Sequence, residues 1–424
     1  MTKQKAVLVL ISVMLLCLLG TAGIALPYPV LAPYFIDGPV NDLTHFMGLH
    51  PKVLLGISLA IYPLGLLIGN IFVGALSDFY GRRKVLLITL FGSIVGYLLT
   101  ALAVIYESFI GFTIARLVTG VCEGNISIGR AIAAELHPQI ERTKAISMVY
   151  AATYAGWLIG PVLGGFLMIY GVANVFAIAA LGILLAFILV FFTIEARSQS
   201  NQSLQKKHDF WSIIRNNNSL TLLKHKSILP IFWFYFLYSM GLNAFYDFYP
   251  VWFVDILSYN SQQIAVATVA LTAAMIVVSS FFVDKLNARF SEIRLMLFGS
   301  ALLAIMLFLQ PFAMQQHVFI IFMVIGGTIA VANGMIPTYL ARYFGHLGQG
   351  QVMGLQTTTF CITNVIIASI GGPLSVLSSR LVLLIGALLV AASWLLMMLT
   401  KKQQQKMIDT VLQMEQEQTP VEQS

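Results

Sequence analysis

The sequence predicts an all-α membrane protein with twelve transmembrane helices in two pseudo-symmetric six-helix halves, on three observations. The first is composition: of 424 residues, 58% are hydrophobic and 10% charged, with a mean hydropathy of +0.87. A soluble globule is about half apolar and roughly a quarter charged, so that class is excluded. The second is the recurrence of apolar runs long enough to cross about 30 Å of hydrocarbon. The third is a weak internal repeat at half the length of the chain.

The runs fall at 6–34, 51–75, 85–106, 108–134, 144–170, 172–194, 229–256, 262–283, 293–313, 317–342, 349–378 and 380–400. Span one follows MTKQK and holds small residues near GTAGIA, as a secretion signal does. Its apolar length exceeds the roughly 7–15 residues of a signal's core, so it is expected to be retained. The expected organisation is a first half over 1–194, a central loop over 195–228, a second half over 229–400 and a polar tail over 401–424. The loop and the tail read as solvated, with short interfacial helices.

Orientation follows from the cations. Lys52 and Arg380 fall on one side of the membrane and Arg116 and Arg130 inside span four, which leaves the other 20 of the 24 Lys and Arg on the opposite side. Cytoplasmic loops keep positive charge, so both termini are expected in the cytoplasm and the net charge of +7 is a topology signal, not a nucleic-acid footprint.

Between spans two and three, VGALSDFYGRRKVLL concentrates charge. Gly74 permits close helix approach, Gly81 a tight turn, and Asp78 can accept hydrogen bonds from helix ends and basic side chains such as Arg82 and Arg83. The plainer reading is a topological anchor, but an aspartate adds nothing to topology. A weaker echo, SSFFVDKLNARF, follows span eight, placing Asp284 206 positions after Asp78.

Span four carries Arg116, Glu123 and Arg130, spaced by seven. On one continuous helix they would lie within about 20° of one face, with roughly 10 Å of rise between neighbours. A charge at the membrane centre costs about 2.5–3.5 kcal/mol on insertion scales, so such residues face a cavity or a partner. Glu123 and Arg116 are therefore candidates for proton coupling; a structural Arg–Glu pair is the alternative.

Span five reads YAGWLIGPVLGG. Gly156, Gly160 and Gly164 recur every fourth residue, so a neighbouring helix can pack closely and pivot at Pro161, with Gly165 beside them. Pro373 in the GGPLSV of span eleven is its partial counterpart, 212 positions on. Span seven holds Asp247 among aromatics in NAFYDFYPVWF, where Pro250 breaks the helical hydrogen-bond ladder, as is tolerated where the freed backbone meets protein or a water-filled cavity. Asp247 is a further proton-coupling candidate, and its surroundings suit an amphipathic or cationic ligand; an interfacial aromatic belt is the alternative. Tyr28, Tyr34 and Asn125 from the first half, and Asn243, Tyr246, Asn333, Gln356 and Asn364 from the second, are candidates to line a substrate cavity.

Other chemistry is missing. All seven histidines fall in loops or at span ends, the three cysteines lie inside spans, and no phosphate-cradling loop occurs. No cofactor and no metal are expected, an ion gradient is the expected power source, and the chain reads as a carrier, not an enzyme.

These motifs resemble the major facilitator superfamily, in particular its twelve-helix drug/proton antiporter branch, to which the tetracycline exporters belong. Gly74, Leu76, Ser77, Asp78, Gly81, Arg82 and Arg83 match the family's loop signature, with Phe79 where a basic residue is usual. Arg116 and Gly120 match its span-four motif, with Thr119 in place of the usual Gln, whereas Glu123 lies where a small residue is more common. Gly156, Gly160, Pro161, Gly164 and Gly165 match every fixed position of its antiporter motif. The resemblance implies a latch at the cytoplasmic ends of the two halves and favours export. The first expectation is a monomeric, multi-pass protein of a bacterial inner membrane that exports a small amphipathic molecule against protons by alternating access. Proton-linked uptake of a nutrient such as an amino acid or nucleoside is the second, and a non-transporting membrane sensor the third.

The latch expectation is testable. Asp78→Asn is expected to leave expression intact and strongly reduce transport in proteoliposomes; transport at the wild-type rate would overturn it.

Overall fold

Membrane helices form here because apolar side chains favour the hydrocarbon while the helix satisfies its own backbone. The chain is represented by a computed structural model, in which residues 2–195 and 219–417 are described. The first half comprises α1 (Lys3–Ala25), α2 (Tyr28–Ile36), α3 (Pro51–Tyr80), α4 (Arg82–Ile105), α5 (Phe109–Cys122), α6 (Asn125–Ala134), α7 (Arg142–Leu167) and α8 (Val172–Thr193). The second comprises α9 (Leu229–Leu257), α10 (Ser261–Phe281), α11 (Val283–Arg289), α12 (Glu292–Leu309), α13 (Val318–Phe344), α14 (Gln349–Leu377) and α15 (Ser379–Glu417).

Among the described residues, ten helical segments are long and apolar enough to cross a membrane. The two further crossings are those carrying intramembrane carboxylates: α5 and α6, of 14 and 10 residues and split at Glu123, and the 29-residue α9, which holds Asp247. The chain thus crosses twelve times. Prolines act unevenly. Span one breaks at Pro27, between α1 and α2, whereas α7 runs on through Pro161 and α9 through Pro250. At Pro250 the ladder lacks the bond that proline cannot donate while α9 continues, and span four breaks without any proline.

The two halves repeat one plan. In the first, α7 packs on α1 and reaches across to α10; in the second, α14 packs on α9 and reaches across to α3. Gly81 separates α3 from α4 alone, with φ of 93°, a left-handed conformation that side chains resist. That one-residue turn is the tight loop expected from the sequence.

Three expectations fall partly outside the described residues: the side chains of Gly74 and Asp78, the central loop over 196–218, and the end of the tail over 418–424. The described part of the tail differs from the expected solvated segment. The last span continues as one helix to Glu417, because Gln404 and Ile408, four residues apart, are buried and Gln404 accepts a hydrogen bond from the Tyr339 hydroxyl of α13.

Candidate functional site

Each half buries a carboxylate well inside a crossing, Glu123 and Asp247, whereas the buried Glu292 sits at the first residue of α12, paired with Arg342; the packing of glycines sets the first. A Cβ on Gly120 would stand 3.1 Å from the Cα of Gly65, and one on Gly124 2.9 Å from the carbonyl carbon of Gly69. The backbones of α3 and the α5–α6 pair are therefore in contact, and the turn between α5 and α6 delivers Glu123 into that crossing. Glu123 is 2% exposed and accepts hydrogen bonds from the hydroxyls of Tyr62 on α3 and, at 2.7 Å, Tyr97 on α4. Gly23 of α1 makes room for Tyr97, since a Cβ there would be 2.7 Å from its hydroxyl.

Arg116 is 4% exposed and lies 4.4 Å above the Tyr62 ring, a cation–π contact that desolvation strengthens. Tyr97 interacts with it as well. Among the described residues Arg116 forms no ion pair with Glu123, and its Nε and Nη1 have no hydrogen-bond partner. The continuous stripe expected in span four is divided by the turn at Glu123–Gly124: Arg116 and Glu123 share two tyrosines, while Arg130 lies 4.7 Å from the Tyr150 ring on α7.

In the second half Asp247 is 3% exposed. Its Oδ1 accepts from Asn364 Nδ2 of α14 at 3.5 Å, and its Oδ2 has no partner. Asn243, one turn earlier on α9, donates to the Phe360 carbonyl at 3.2 Å and to Thr363 Oγ1 at 3.1 Å. Tyr249 pairs with Thr268 at 2.7 Å, and Tyr246 points its hydroxyl at the sulfur of Met275 at 3.8 Å. Tyr28, packed against Trp157 with ring centroids 5.9 Å apart, lies within electrostatic reach of both Asp247 and Arg116.

The halves meet at the face opposite the basic loops. Lys52, at the start of α3, pairs with Asp255 near the end of α9 at 2.6 Å and donates to the Ser375 carbonyl of α14 at 3.2 Å. Beneath it a Cβ on Gly372 would be 3.1 Å from the Cα of Gly56, and across the molecule one on Gly165 would be 2.6 Å from the Ser261 carbonyl. A cavity of about 580 Å³ above the ion pair is lined by His45, His50, Lys52 and Asp255. Asp37, just past α2, is held above the usual carboxylate range by partial burial and by the charge of Asp255.

Other expected residues scatter. Gly156, Gly160 and Gly164 face α1, and a Cβ on Gly160 would lie 2.9 Å from that of Ala25. Arg82 pairs with Glu135 at 2.7 Å and Arg83 donates to the Phe191 carbonyl at 2.9 Å, both within the first half. Tyr34 lines a pocket with Asp37 and Ser261 at the face opposite the basic loops, away from Asp247. Asn125 is buried at the start of α6; Asn333 and Gln356 are half-buried, Gln356 facing Tyr235. Sequence reasoning missed Tyr62, Tyr97, Trp157 and the Lys52–Asp255 pair. A tyrosine deep in an apolar span needs an acceptor for its hydroxyl, which was the available signal for Tyr62 and Tyr97.

Residues 8–368 match the family profile described as Major Facilitator Superfamily. The quinolone resistance protein NorA of Staphylococcus aureus is 26% identical over 357 residues, 83% of this chain and 86% of that protein. The tetracycline resistance protein, class G, of Vibrio anguillarum is 27% identical over 322 residues, 75% of this chain and 78% of that one. In fold, the chain is similar to the xylose transporter XylE from E. coli in a partially occluded inward-open conformation, with a TM-score of 0.70 at 16% identity over 93% of this chain and 97% of that one.

Two outcomes follow from this geometry. Tyr97→Phe removes one of two donors to a buried carboxylate and is expected to cost about 1–3 kcal/mol. In a Glu123→Leu background the same change is expected to cost almost nothing, and thermal unfolding in detergent of all four proteins measures the coupling; additive effects would show that the bond is unimportant. Lys52→Ala or Asp255→Ala is expected to speed labelling of a cysteine placed at the buried Ser375 severalfold, in a protein free of Cys17, Cys122 and Cys361. The charge-exchanged pair Lys52→Asp with Asp255→Lys is expected to slow it again, and equal labelling in all of these variants would contradict a closing role.

Proposed function

The chain belongs to the major facilitator superfamily, and on that premise we propose that it is a secondary active transporter exporting a small amphipathic molecule in exchange for protons by alternating access. Glu123 carries this reading. It is a buried carboxylate held by two neutral hydroxyls, with Arg116 nearby but unpaired to it. A carboxylate locked to a cation would be a fixed structural charge; one held by hydroxyls, which donate to it when ionised and accept from it when protonated, keeps its partners in both states. Its place beside Arg116, with Tyr28 within electrostatic reach of both Arg116 and the Asp247 of the other half, suits a proton exchanged as the halves move.

Direction rests on the relatives. Two of them are named for resistance to drugs, and the antiporter motif of span five agrees with export. The chain lies in a bacterial inner membrane with both termini and the basic loops in the cytoplasm. In that orientation the face sealed by Lys52 and Asp255 is the outer one, and the conformation faces inward. Asp78, Gly81, Arg82 and Arg83 then serve as the cytoplasmic latch that closes when the outer face opens. The side chains of the polar sites and of the outer seal all come from a single chain, which acts as a monomer.

The experiment is transport in proteoliposomes. An antiporter moves substrate against an imposed proton flow, whereas a symporter moves it along. Glu123→Gln is expected to abolish proton-driven accumulation while substrate exchange without a gradient persists. Proton-driven accumulation at the wild-type rate in that variant would refute the assignment.

A further inference from the structure

The second-half site is left short of donors. Asp247 Oδ2, Asn243 Oδ1 and Asn364 Oδ1 are all buried and all lack a hydrogen-bond partner. The amide orientations are set by their neighbours: Asn243 turns its nitrogen to the Phe360 carbonyl and Asn364 to the Asp247 carboxylate, both acceptors, so their oxygens are the groups left over. Nearby donors are spent elsewhere or set apart: the Tyr238 and Ser239 hydroxyls, buried without a partner, lie nine and eight residues before Asp247 on α9, about 12 Å or more of helix rise away. Tyr249 bonds Thr268, Tyr246 faces Met275, and the Thr363 hydroxyl lies 2.9 Å from the Thr359 carbonyl. Trp252 Nε1 is a buried donor without a partner, but five residues along α9 from Asp247 it is turned about 140° around the helix. Asn243 and Asp247, four apart, lie within about 40° of each other on one side of α9, and Asn364 faces Asp247 from α14.

Three orphaned acceptors, one carrying a carboxylate's charge, define what would complete the site. An acceptor buried unpaired has lost its water without replacement, so three of them within one small region are a large standing penalty. A proton on Asp247 relieves one and leaves both amide oxygens bare. A primary ammonium supplies three N–H donors and a unit positive charge together. Aromatic surfaces for an attached apolar body stand nearby in Tyr246, half-buried on α9, and in Tyr28 with Trp157 from the other half.

We propose that Asp247, Asn243 and Asn364 form a subsite for the primary ammonium group of a lipophilic amine, which makes such amines the substrate class of the export pathway. This rests on the transporter reading above and divides its labour: Glu123 serves the proton, and Asp247 selects the charge of the cargo.

Binding to the full-length protein in detergent tests this without any gradient, with 4-phenylbutylamine as probe and neutral 4-phenylbutanol as its counterpart. The wild type is expected to bind the amine more tightly than the alcohol. Asp247→Asn, which keeps the shape of the side chain, is expected to weaken the amine about 30-fold or more and to leave the alcohol unchanged. Asn243→Ala is expected to act in the same direction by a smaller factor. Equal affinities of amine and alcohol for the wild type, or unchanged amine affinity in Asp247→Asn, would overturn the proposal. So would sodium ions protecting the wild type from thermal unfolding through Asp247 when the amine does not, since the site would then belong to an inorganic cation. Failure of the export reading looks different: the amine binds through Asp247, but proteoliposomes do not extrude it against a proton gradient.

Discussion

A polar group in hydrocarbon has no water to fall back on, and this fold is organised around finding partners for two carboxylates. Glu123 shows the constraint most directly. Its two tyrosine donors come from α3 and α4, and they reach it only because α3 and the α5–α6 pair approach until their backbones touch at Gly65, Gly69, Gly120 and Gly124. Any larger residue at that crossing would separate the helices and strand the carboxylate. The same need accounts for Gly23, whose missing side chain leaves space for the Tyr97 ring. Hydrogen bonding and steric packing are thus one requirement here.

The two halves share a plan but not a chemistry. In the first, the carboxylate is fully served by hydroxyls and its neighbouring guanidinium rests on aromatic rings. In the second, the carboxylate keeps one oxygen unserved beside two amide oxygens in the same condition. A site satisfied from within suits a charge that only gains and loses a proton, whereas an unsatisfied one suits an arriving ligand. Around both, contact between the halves concentrates at one face, where Lys52 joins Asp255 and Ser375 while glycines press together beneath. Such a seal combines an ion pair shielded from most solvent with small apolar surfaces, and both can separate without breaking a helix.

Much of this was legible in the residues. Apart from the last, whose helix runs on to Glu417, span positions agree with the helices to within a few residues because transmembrane length and apolar content are dictated by the bilayer itself. The one-residue turn at Gly81 was legible because only glycine holds that backbone at low cost. The burial of Glu123 and Asp247 was legible because a lone carboxylate in an apolar run has few other places to be. Breaks in helices were less so. Pro250 takes one bond out of the ladder of α9 and the helix runs on, while span four breaks at a Glu–Gly pair that carries no such signal, since neighbouring helices decide whether a freed backbone group finds a partner. The tail's polar composition suggested short helices apart from the last span and not its continuation, which Gln404 ties to Tyr339 of α13.

By itself, then, the sequence determined twelve crossings, two related halves, a basic face and the identity of the costly residues, because each of these is a property of a segment in a bilayer. Only the tertiary structure decided partnership: that Glu123 belongs to Tyr62 and Tyr97 and not to Arg116, that Lys52 pairs with Asp255 some 200 residues away, and that Asp247 meets Asn364 with an oxygen to spare. Spacing along one helix says which residues share a face. Which face of which neighbour they meet depends on how closely the glycines let the helices come.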